Sequence, residues 1–285
     1  MILSICLLTL TIASVWLAPI NVNNQRQFLV WIPLALVAAA SALYYQFLTP
    51  MGLLGLGLLW LIASRATSSL LAGWKKSICM VLTIMLALAL ALHRWPGFNN
   101  PILISATRLS ADAVPLTLYA NIDKAGAGLI MLALFCKRCQ SWRELAHTRG
   151  EIRWLAMWTI AAAMGGACLL DLIRPELKLP AVTGLFLWIN LFFTVIAEEA
   201  FFRGFIQGQL QRFMRSQAAC VGISALLFGL AHLAGGWRYA AVATLAGVGY
   251  AIAFQRTQKI ESSIGLHLLL NTVHFIGFTY PMLSQ

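Results

Sequence analysis

At 285 residues, 60% hydrophobic and 10% charged, with mean hydropathy +0.81, the chain lies far from soluble domains, in which roughly a quarter of residues are charged. The formal net charge of +11 does not point to a nucleic-acid partner, because most Lys and Arg residues fall in short connections between apolar runs, where they orient a membrane protein. The composition excludes soluble enzymes and nucleic-acid binders and leaves an integral membrane protein surrounded by a lipid bilayer.

Ten apolar stretches are candidate spans: 1–20, 28–48, 51–72, 77–92, 125–136, 154–171, 181–205, 217–235, 239–254 and 262–281. A spanning helix needs about 20 mostly apolar residues. The stretch 125–136 is short and 51–72 contains Arg65, so about 8–10 transmembrane helices are expected. Lipid cannot hydrogen-bond to backbone groups, which permits only helices or a closed barrel. Unbroken apolar runs without period-2 alternation favour helices. The expected fold class is all-α, a polytopic membrane helix bundle.

In chain order, residues 1–20 lack a basic leading region and a small-x-small cleavage site, and read as a retained first span. Residues 1–136 are apolar spans with almost no ionisable groups at membrane depth and no clear repeat. Within them, the connection 93–124, with Pro96, Pro101 and Pro115, is expected to lie along the outer surface as an amphipathic segment or a cap. The basic connection 137–153, KRCQSWRELAHTRGEIR, suits anionic headgroups on the cytoplasmic side. Cys136-x-x-Cys139 has no second pair to complete a zinc site and reads as two unpaired thiols. Residues 154–281 then hold nearly all the polar side chains placed at membrane depth. Alternate connections carry thirteen basic residues against six, so the richer side should be cytoplasmic, with both termini outside. The C-terminal PMLSQ carries no lipidation signature.

Ionisable groups inside a bilayer are expensive and face a protein interior or a wet cavity. Three groups need explaining. In Glu198-Glu199-x-x-x-Arg203, Glu199 and Arg203 are four apart and share a helix face, so they can pair. Glu198 is rotated from Glu199 by about 100° and is expected to lack that cationic partner. A carboxyl so placed holds its proton more tightly, which suits a general base or acid. In Phe228-x-x-x-His232, a ring and an imidazole share a face among small residues. His267-x-x-x-Asn271, with His274 beyond, forms a polar stripe on an apolar helix. Asp171 and Asn190 read as structural. Taken singly, Glu199–Arg203 reads as a structural ion pair, and each imidazole or amide as an interhelical hydrogen-bonder. Together the three groups offer a base, two imidazoles and an amide, a set able to activate water and stabilise an oxyanion.

The order E-E-x-x-x-R, F-x-x-x-H, H-x-x-x-N on successive apolar helices resembles the CPBP family of intramembrane proteases, the CAAX-processing and bacteriocin-processing group also called Abi. The resemblance covers roughly residues 154–281. It implies a helical bundle with a water-accessible cavity open to the cytoplasmic side, in a bacterial inner membrane, acting on a membrane-anchored or lipidated protein or peptide. By that resemblance Glu198 would activate water with His232 assisting, His267 and Asn271 would hold the oxyanion, and Glu199, Arg203 and Phe228 would orient the helices. No cofactor is expected. The alternative is a zinc site of Glu198, His232 and His267, although no H-E-x-x-H occurs, nor a G-x-S-G or G-x-G-D motif. The rival classes are a non-enzymatic immunity or scaffold protein of the same fold and a proton-relay transporter. The latter should show an inverted repeat.

Overall fold

The computed structural model describes residues 1–23 and 26–284. Its helices are α1 (Ile2–Ser14), α2 (Trp31–Tyr44), α3 (Pro50–Thr67), α4 (Gly73–Ala91), α5 (Ile122–Phe135), α6 (Trp142–Leu169), α7 (Thr183–Phe213), α8 (Gln217–Ala231), α9 (Trp237–Thr257) and α10 (Ile260–Gly277). Four of them, α3, α4, α6 and α7, are long and apolar enough to cross a membrane. Helices α1, α2 and α8 are apolar but shorter, while α9 and α10 have the length and carry more polar side chains. The protein is thus an all-α polytopic helix bundle, with ten helices among the described residues, four of them long and apolar enough to cross a membrane.

Two connections depart from expectation. Two short strands, β1 (Ile20–Asn23) and β2 (Arg26–Phe28), pair antiparallel, with Ile20 opposite Phe28. The connection 93–124, expected as an amphipathic segment or a cap, has regular structure of its own. It contains a two-stranded hairpin, β3 (Ile102–Thr107) and β4 (Leu116–Tyr119), and then the first turn of α5. Ile104 and Leu116 drive this, because they pack into an apolar core with Phe186 and Phe275, whose rings stack at 4.0 Å.

The chain divides into two compact units that do not follow chain order. The first comprises Met1–Pro101, Tyr119–Cys136 and Phe192–Phe201. Its centre is α5, buried almost throughout from Ile122 to Leu132, with α1, α3 and α4 packed on it. The α7 turn Ile196–Glu199 also lies against α5. Gly128 makes that approach possible: a Cβ there would stand 2.4 Å from the Cβ of Ala197. An apolar cavity of about 380 Å³ lies in this unit between α2, α3 and α5.

The second unit comprises Ile102–Leu118, Lys137–Leu191 and Phe202–Gln285. Helix α9 is its hub, packed on α6, α8 and α10 through Ala240, Ala243, Ala246 and Gly247, small residues that let helix backbones come close. Gly229 of α8 sits so near α9 that a Cβ would fall 2.7 Å from the Ala240 carbonyl oxygen. Helix α6 starts with a side-chain cap: the Ser141 hydroxyl accepts from the Glu144 amide, and Glu144 Oε2 accepts from the Gln140 amide just before the cap at 2.6 Å. Just before it, the Cys139 amide donates to Glu261 Oε1 at 2.8 Å. Burial, then the charge of Glu261, pushes the Cys139 thiol up to about 11.

Two measurements follow. Gly128→Ala should lower stability by about 1–3 kcal/mol through overpacking, whereas Gly150→Ala, whose Cβ meets open space, should not; thermal unfolding in detergent checks both. Cys139 should resist alkylation at pH 8, where roughly one part in a thousand is thiolate; mass spectrometry after iodoacetamide reads this site directly.

Candidate active site

Helix α7 carries Glu198 and Glu199 between two π-helical stretches, Asn190–Val195 and Ala200–Gln207, the second of which contains Arg203. Such wide turns inside α-helices are rare and concentrate at functional sites. Glu198 and Glu199 lie in the first unit, and Glu199 is fully buried. Glu198 Oε1 is 2.6 Å from the ammonium of Lys124 on α5, and both side chains are mostly buried. The expectation that Glu198 lacks a cationic partner is therefore corrected. Lys124, which reads from sequence as the end of an outer connection, is inside a helix and supplies that partner. Its neighbour Asp123 is also buried, accepting from His93 Nδ1 at 2.6 Å and from Asn100 Nδ2 at 2.9 Å.

The remaining residues of the three motifs lie in the second unit. Arg203 is fully buried, and its Nη2 donates to the Gly247 carbonyl at 3.1 Å. Its guanidinium stands over the Phe228 ring at 4.5 Å and the Tyr250 ring at 5.2 Å. One and two turns on, Gln207 donates to the Ala251 carbonyl and Gln211 to the Gln255 side chain. The result is a polar seam at four-residue steps on both α7 and α9. Charged and neutral hydrogen bonds of this kind contribute about 0.5–3 kcal/mol each.

Phe228 is the hub of an aromatic platform. Its ring centroid lies 4.5 Å from that of His232, 5.6 Å from His267 and 5.8 Å from Tyr250. His232 is not inside a helix; it is the capping residue just past the end of α8. Its Nδ1 lies 2.8 Å from the Phe228 carbonyl oxygen. A carbonyl can only accept, so Nδ1 carries a proton, and Nε2 is the ring nitrogen left to face other partners. His267 is buried and stacks on Tyr250 at 4.5 Å and 16°. Asn271 Nδ2 donates to Asn190 Oδ1 at 3.0 Å.

His232, His267, Asn271 and His274 line one cavity of about 70 Å³, together with Tyr239 and Tyr250. A cavity needs about 10–15 Å³ to hold a water, so this one takes a few waters but no peptide segment. Its polar groups are of the kind that hold water in place. The structure thus brings three of the four expected catalytic residues around one chamber. Sequence reasoning missed Tyr239, Tyr250 and the role of Asn190; only their polarity within apolar helices could have marked them. Among the described residues, no three His, Cys, Asp or Glu side chains stand together as a metal-ligand group.

Fold and site together define an α-helical integral membrane protein with a polar, histidine-lined chamber. Residues 180–273 match the family model described as Type II CAAX prenyl endopeptidase Rce1-like. Those 94 residues contain all three motifs and are similar to that family of membrane endopeptidases. No curated protein and no solved structure matches the chain.

The burial of Arg203 over two rings yields a prediction. Arg203→Lys keeps the charge but loses the planar stacking, and should destabilise by about 2 kcal/mol; denaturant titration in detergent, with wild type alongside, measures this.

Proposed function

We propose that the protein hydrolyses a peptide bond of a membrane-anchored or lipidated protein, close to the membrane surface, using water activated by Glu198 and no metal cofactor. The observation that carries the reading is that the family match spans every motif residue, while His232, His267 and Asn271 line one water-sized cavity.

The roles follow from donor chemistry. Glu198 takes a proton from the attacking water, and Nε2 of His232 orients that water. Attack on the carbonyl carbon places negative charge on its oxygen. An N–H of His267 and the second N–H of the Asn271 amide stabilise that oxygen, since one Asn271 N–H already goes to Asn190. Collapse of the tetrahedral intermediate expels the amine, which receives the proton from Glu198. Glu199, Arg203 and Phe228 hold the helices that present these groups. The catalytic bundle is 154–281, the basic connection 137–153 lies at the cytoplasmic surface, and the site opens to that side of a bacterial inner membrane.

Cleavage of an anchored reporter peptide by purified variants tests the roles. Glu198→Gln should abolish turnover with the fold intact. Asn271→Ala should slow turnover by about 10²–10³, the cost of one oxyanion donor, and Asn190→Ala by about tenfold, through loss of aim. An active Glu198→Gln protein would contradict the assignment. A wild type that cleaves nothing while Glu198→Gln retains biological function would favour a scaffold.

A further inference from the structure

We propose that Lys124 is a positioning residue for Glu198, so that the N-terminal helices, which lie outside the family match, supply part of the catalytic apparatus. The proposal rests on the protease reading of Glu198 given above.

Three observations carry it. The Lys124 ammonium and Glu198 Oε1 are 2.6 Å apart, with side chains 17% and 11% exposed, a separation typical of a charge-assisted hydrogen bond away from solvent screening. Lys124 is itself held. Asp123 Oδ1 accepts from the Lys124 amide at 2.8 Å and from Asn100 Nδ2, its Oδ2 takes His93 Nδ1, and Asn100 Oδ1 accepts from the Ile122 amide at 2.8 Å. The first turn of α5 is therefore fixed in place from the α4–β3 connection. Finally, Gly128 lets the α7 turn bearing Glu198 lie directly on α5. A flexible carboxylate is thus tied by its charge to a turn that is tied down separately.

A general base must meet its proton within hydrogen-bond reach, and a displacement of about 1 Å can cost 10²-fold in rate. Lys124 restricts where the Glu198 carboxylate points, and it balances that charge at membrane depth. It does not touch the substrate.

The test is reporter cleavage with kcat and KM separated, beside thermal unfolding of each variant in detergent. Lys124→Met should lower kcat about a hundredfold and leave KM within a few-fold. Lys124→Arg, which restores a cation, should recover most of that loss. In a Glu198→Gln background, Lys124→Met should shift Tm less than it does in wild type, since its partner charge is gone. Wild-type kcat in Lys124→Met would overturn the proposal. So would a rise in KM at constant kcat, or equal Tm shifts in both backgrounds. If wild type cleaves no reporter, or Glu198→Gln cleaves it as well, the protease reading itself falls and takes this proposal with it.

Discussion

Charge at membrane depth is the constraint on which the rest of the structure depends. Removing an ion from water costs several kcal/mol even after the protein relaxes, so each such group must be given a partner or lost. Three such buried groups are given one here. Glu198 meets Lys124, Asp123 meets His93 and Asn100, and Arg203 rests on two aromatic faces and a backbone carbonyl. These contacts determine which helices must lie side by side. Small residues at Gly128, Gly229 and along α9 let the backbones come close enough to make them.

Within the second unit, the same economy builds the chamber. Phe228 serves at once as floor for Arg203, ring neighbour of His232 and His267, and carbonyl acceptor for the His232 proton. One residue, through its ring and its carbonyl, thus links the structural cation to both imidazoles. Asn190 restrains Asn271 in turn. An aromatic platform of this sort fixes ring planes without adding charge, which leaves the few polar atoms facing the cavity as its chemical content.

What could be read from the sequence was local in the chain. Hydropathy marked the membrane helices, and four-residue spacing picked out the three motifs, because on a helix that spacing is a spatial relation. The pairing of Lys124 with Glu198 could not be read, since the two lie 74 positions apart and nothing local to Lys124 distinguishes it from an outer-loop lysine. The hairpin in 102–119 was hidden for a related reason. Its Ile104 and Leu116 look like ordinary connection residues until Phe186 and Phe275 provide the surface they bury. His232 reads as mid-helix because the apolar run continues past it, whereas α8 ends one residue before. The π-helical turns around Glu198 and Glu199 leave no mark on hydropathy.

The central claim is that a protein carboxylate, rather than a bound metal, activates the hydrolytic water. Its most direct test is cleavage of an anchored reporter by wild-type protein in H₂¹⁸O, after exhaustive treatment with a zinc chelator. The account predicts an unchanged rate, with ¹⁸O from the solvent in the new carboxyl terminus. Activity lost in chelator and restored by stoichiometric zinc would contradict it.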